Sequence, residues 1–107
     1  MYQGTTPALT FEIEGFNAVG MTPFVSFKRG NEVLTKTGAS VVIAWDEENE
    51  KSVIVCQLTQ EETLAMKQGS ADVQMRFIDS NNQAYATTEA SIDVDRVIYK
   101  EIIRYGG

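Results

Sequence analysis

Apolar side chains recur at every second position along most of this chain, the pattern of strands with one wet face. Leu9, Phe11 and Ile13 alternate with Thr10, Glu12 and Glu14, and Val73, Met75 and Phe77 alternate with Asp72, Gln74 and Arg76. A helix cannot use this period, because its faces repeat every 3.6 residues. The chain is therefore expected to fold mainly as sheet.

Turn chemistry separates the alternating runs. Phe16-Asn17-Ala18-Val19-Gly20 ends the first. Pro23 opens a second strand, from Phe24 to Lys28, and Arg29-Gly30-Asn31-Glu32 turns the chain back into a third, from Glu32 to Thr37. Gly30 and Asn31 suit the positive φ of such a tight turn. Residues 39–45 are nearly all apolar, which predicts a central strand buried on both faces. After the charged connector 46–50, residues 51–58 place Ile54, Cys56 and Leu58 on one face and Val53 and Val55 on the other. Asp79-Ser80-Asn81-Asn82 reads as a hairpin turn leading into one long strand of small residues over 83–94.

One helix is expected, near residues 60–68. Thr59-Gln60-Glu61-Glu62 has the capping-box pattern, Leu64, Ala65 and Met66 supply an apolar side, and Gly69 is the stop. So short a helix must lean on a sheet for support. The tail, residues 95–105, carries two patterns. Ile98 and Ile102 suit a helical stripe, while Val97, Tyr99, Ile103 and Tyr105 suit a strand; the β-branched and Tyr content favours strand. Together the elements predict a single all-β domain over residues 1–107. It is an immunoglobulin-like antiparallel β-sandwich of about seven strands with one short helix. The Cys…Trp…Cys hallmark of antibody domains is absent, so only the general architecture is implied.

Composition excludes several chemistries. There is no histidine, which removes Ser-His-Asp and Cys-His catalysis and His-ligated zinc. The single cysteine rules out an internal disulfide. A net charge of −6 with scattered basic residues argues against nucleic acid and anionic membrane surfaces as partners. Residues 1–10 have no basic n-region and no apolar h-region, and no apolar run approaches a membrane span, so a soluble, non-secreted protein is expected.

The remaining candidates read more simply as structure. The acidic run Asp46–Glu50 lacks the calcium-loop spacing and reads as a solvated hairpin tip. Cys56, in register with Ile54 and Leu58, reads as a small core hydrophobe. Trp45 suits a core lid better than a stacking platform. Glu12 and Glu14 point the same way from one strand, whereas glycosidase carboxylates face each other across a cleft. The glycines form no phosphate loop. No catalytic, cofactor-binding or metal-binding residue is assigned. The tail is different, because one strand buries only alternate side chains in its own core. Either it is covered on both faces, or Tyr99, Ile102, Ile103 and Tyr105 form an interface with a partner or a second copy.

Several segments carry a family resemblance: Gly4-Thr5-Thr6-Pro7 with Leu9-Thr10-Phe11; Val25-Ser26-Phe27-Lys28; Leu58-Thr59-Gln60-Glu61-Glu62-Thr63-Leu64; Gly69 with Val73-Gln74-Met75-Arg76; and Val97-Ile98-Tyr99-Lys100-Glu101-Ile102-Ile103. On these the chain resembles a family of small proteins encoded in prophages and mobile elements of Gram-positive bacteria. It is also similar to the N-terminal domain of phage baseplate upper proteins. Thr88-Glu89-Ala90-Ser91 keeps only part of the family's alanine-serine strand, and Glu101-Ile102 replaces its glycine before the last apolar pair. The resemblance implies a β-sandwich and a non-enzymatic structural or assembly role, associated with a tail or baseplate. It implies other phage-like structural proteins, or the chain itself as a homo-oligomer, as partners, and a location in the bacterial cytoplasm during assembly and in the virion. It carries over no catalytic residue or cofactor. The alternative expectation is a binding module for a glycan or host protein, built on Trp45, Tyr85 and Tyr99.

Overall fold

The structure is a computed structural model and describes residues 1–106. Eight strands form in chain order: β1 (Ala8–Glu14), β2 (Thr22–Arg29), β3 (Glu32–Thr37), β4 (Val41–Asp46), β5 (Lys51–Gln57), β6 (Gly69–Ile78), β7 (Ala84–Ala86) and β8 (Ala90–Val94). One helix, α1 (Gln60–Ala65), separates β5 from β6. All strand ladders are antiparallel and belong to two sheets.

The smaller sheet has the order β1-β5-β4. Its centre is β5, hydrogen-bonded to β1 on one side and to β4 on the other. The larger sheet runs β3-β2-β6, and its far edge is shared by two short strands. β8 pairs with the first half of β6, Val94 opposite Gly69 through Ala90 opposite Val73. β7 pairs with the second half, Ala86 opposite Arg76 through Ala84 opposite Ile78. The expected two-layer architecture is present. Strand order is its own: antibody constant domains keep their second strand in the sheet of the first, fourth and fifth, whereas here β2 sits in the other sheet between β3 and β6.

The core lies between the layers and follows the period-two pattern. β2 contributes Val25 and Phe27, β6 contributes Ala71, Val73, Met75 and Phe77, and β5 contributes Ile54 and Cys56. Phe77, Ile54, Leu58, Val25 and Val73 are fully buried, and truncation of such a side chain costs about 2–5 kcal/mol. The capping box at the start of α1 is formed. Thr59 accepts from the Glu62 N–H at 3.2 Å, and the Glu62 carboxylate accepts from the Thr59 N–H at 2.8 Å.

Three expectations are corrected. Residues 39–45 are not a central strand: a 3-10 turn, Gly38–Ser40, precedes β4, and β4 is the edge of the smaller sheet. Its alternate residues Val42 and Ala44 face outward and are exposed, opposite Val55 and Val53 of β5. The helix is one and a half turns long, stopping at Ala65 instead of 68. Met66 is already extended and buried, and Gly69 begins β6. The long strand over 83–94 is two strands, broken at residues 87–89. Thr87 causes the break by turning onto β6. Its N–H donates to the Met75 carbonyl at 2.9 Å, and its hydroxyl accepts from the Met75 N–H at 3.0 Å.

Candidate interaction surface

The C-terminal segment was expected to be a strand, but residues 96–106 form none. Met1 to Gln3 run alongside the end of β8, with a parallel bridge between Tyr2 and Asp95. Gln3 N–H donates to the Asp95 carbonyl at 2.9 Å, and Asp95 N–H donates to the Met1 carbonyl at 2.7 Å. The N-terminal ammonium donates to the Asp93 carbonyl at 2.9 Å and lies 3.5 Å from the Asp95 carboxylate. Beyond Asp95 the chain leaves the sheet and crosses the α1 end of the sandwich.

Two glutamines hold it there. Gln3 is buried; its amide donates to the Met66 carbonyl at 2.6 Å, and its oxygen accepts from the Val97 N–H at 3.4 Å and from the Lys100 ammonium. Gln60, in the first turn of α1, treats Ile103 as a strand would. It donates to the Ile103 carbonyl at 2.8 Å and accepts from the Ile103 N–H at 2.9 Å. The helix is tied down beneath the segment by Thr63, whose hydroxyl donates to the Thr5 carbonyl at 2.8 Å. No periodicity marks Gln3 or Gln60 in the sequence, so these anchors were not foreseen.

This backbone pinning leaves apolar side chains facing water. Of the four expected interface residues, Tyr99, Ile103 and Tyr105 are exposed, with Tyr105 wholly so, while Ile102 is half-buried. Ile98 is 94% exposed and adds to the surface. The segment also carries Arg96, Lys100 and Arg104 against the single acid Glu101, in a chain whose net charge is −6.

A second feature lies at one edge of the sandwich. Between β1 and the β7–β8 edge the sheets gape, leaving a cleft of about 660 Å³. Its walls include Phe11 and Ile13 of β1 and Val73, Met75 and Phe77 of β6. Phe16 closes one end, packed on Phe77 and Tyr85 with ring centroids at 5.8 and 5.2 Å. A smaller apolar recess of about 360 Å³ lies between the β2–β3 hairpin and α1.

Asp46 accepts from the Asn49 side chain at 2.9 Å and its N–H at 3.3 Å, which hold its carboxyl below the ordinary range at the tip of the β4–β5 hairpin. Among the described residues no three acidic or thiol groups converge as a metal site requires. Cys56 is buried, and that burial pushes its thiol pKa up, away from the reactive thiolate. Trp45 is half-buried on β4, at the edge of the smaller sheet away from β1, whereas Tyr85 lies on β7 of the other sheet, beside the cleft. With Tyr99 on the C-terminal segment, these aromatics occupy three separate elements. Among the described residues no helix is long and apolar enough to cross a membrane. No family model matches this chain, and comparison with curated proteins finds no match.

Proposed function

We propose that this protein is a non-enzymatic, phage-like structural or assembly component that works through protein–protein contacts made by its C-terminal segment. One observation carries the reading: the backbone of residues 97–103 is anchored by Gln3 and Gln60 while Ile98, Tyr99, Ile103 and Tyr105 point away from the core. With only Val97 and Ile102 half-buried, the segment keeps its remaining apolar side chains free for a partner. Tyrosines in such a position supply contact area at low rotamer cost. The resemblance to prophage and baseplate proteins supports virion or tail proteins, or the chain itself, as that partner.

The test is capture from a lysogen lysate on the immobilised full chain, with bound proteins identified by mass spectrometry. The reading expects virion structural proteins or this same chain, retained by the wild type and not by the triple variant Tyr99→Ser/Ile103→Ser/Tyr105→Ser. Equal retention by the triple variant, or no such protein retained by the wild type, would overturn it.

A further inference from the structure

We infer that the cleft between β1 and the β7–β8 edge receives the C-terminal segment of a second copy of this chain, added as a strand along the free edge of β1. This rests on the reading above that residues 97–105 are the docking element, and it names their receptor.

The receptor is an unfinished part of the sandwich. β1 is hydrogen-bonded to β5 on one side only. Near its start the gap to the larger sheet is closed by the pairing of Met1 to Gln3 with the end of β8. Further along, the β7–β8 edge breaks at residues 87–89, where Thr87 is drawn onto Met75, and among the described residues no ladder joins the two sheets. The inward residues Leu9, Phe11 and Ile13 consequently stay half-buried, although they alternate as core residues do. An open edge over an apolar cleft is the geometry used in strand addition, where backbone hydrogen bonds give affinity and side-chain pockets give specificity.

The donor fits in length and charge, and three of the four side chains on one of its faces are large and apolar or aromatic. Tyr99, Ile103 and Tyr105 are odd-numbered and fall on one face of an extended strand, with Glu101 between Tyr99 and Ile103, and all four are exposed. β1 has seven residues, matched by residues 99–105 when extended. The outer rim of β1 carries Glu12 and Glu14 beside the cleft. Glu12 already meets Lys51 at 3.0 Å, while Glu14 makes no ion pair among the described residues. The donor brings Lys100 and Arg104 to that acidic rim. In each copy the segment is held at the α1 end by Gln60, whereas the cleft lies beside Phe16 and Tyr85, so docking exchanges the two Gln60–Ile103 hydrogen bonds for a ladder with β1 of the other copy. Donor and receptor are different surfaces, so the contact closes reciprocally into a dimer or propagates head to tail.

Sedimentation velocity on full-length chains tests this. The wild type is expected to self-associate, and the triple variant Tyr99→Ser/Ile103→Ser/Tyr105→Ser to remain monomeric. Ala86→Trp, which fills the cleft from an exposed position, should also remain monomeric. Mixing the two should restore a heterodimer, because one retains a donor and the other a receptor. Glu14→Arg should weaken self-association on the order of tenfold, and mixing it with Arg104→Glu should recover it, a readout independent of how Ala86→Trp folds. Hydrogen exchange in β1 should slow on association. Undiminished self-association by both Ala86→Trp and Glu14→Arg would overturn the cleft as receptor while leaving docking through the segment intact. A wild type monomeric at every concentration would also overturn the inference. Undiminished association by the triple variant would overturn both this inference and the proposed function.

Discussion

Lys36 of β3 places its ammonium 2.8 Å from both carboxylate oxygens of Glu62 in α1, so one carboxylate caps the helix and ties it to the larger sheet. Both side chains are largely shielded from solvent. Burial pulls the Glu62 carboxyl upward, but the hydrogen bonds from Lys36 and from the Thr59 N–H outweigh it, and its pKa is lowered. Because the unfolded state binds the proton more tightly, this stabilisation is present above the ordinary carboxylate range and is lost as pH falls through the depressed folded value. Glu62→Gln keeps a capping side chain and loses the charge, so its stability should depend less on pH than the wild type's as pH falls from neutrality through and below the ordinary carboxylate range. Glu62→Ala loses both interactions and should cost about 1–2 kcal/mol at neutral pH by urea unfolding.

Ser52 has no exposed surface and fastens the β1–β2 connection. Its hydroxyl accepts from the Ala18 N–H at 2.9 Å and donates to the Phe16 carbonyl. Ser52→Ala leaves both backbone groups without that partner and should destabilise by about 2–3 kcal/mol in chemical denaturation. Ser52→Ala at wild-type stability would show that water replaces the hydroxyl.

Gly69 joins α1 to β6 with φ at +125°, and a Cβ there would lie 2.5 Å from the Arg29 guanidinium. That guanidinium donates to the Gln68 carbonyl at 3.0 and 3.3 Å. Gly69→Ala is expected to lower stability by about 1–3 kcal/mol, through backbone strain and displacement of Arg29. Arg29→Ala combined with Gly69→Ala should cost less than the sum of the two single changes in a double-mutant cycle.

The Cys56 thiol is sealed between the sheets and its pKa is raised by burial. It should not react with a thiol reagent in native buffer and should react fully in denaturant. Rapid native labelling would mean that the β5 layer opens locally.

Strand faces were legible in the sequence wherever one side of a strand is wet, as in β1 and β6, because burial there imposes the alternation directly. The capping box also announced itself, since its donors and acceptors are local. Residues 39–45 misled because an apolar run has the same composition whether its second face is covered or lies outward, as Val42 does. The break at Thr87 was hidden because a β-branched residue is ordinary in a strand; only its double contact with Met75 turns the chain. Tyr99, Ile103 and Tyr105 were identifiable as surplus to one core. Their backbone conformation was not, because it is set by Gln3 and Gln60, whose anchoring depends on distant chain segments meeting.

The proposed function requires that exposed apolar residues of the C-terminal segment serve contact and not folding. Thermal unfolding and sedimentation velocity of Tyr99→Ser/Ile103→Ser/Tyr105→Ser, run beside the wild type over the same concentration range, test this most directly. An unchanged melting temperature at low concentration together with loss of the associated species is the predicted result. A variant that melts well below the wild type, or that associates as the wild type does, would contradict it.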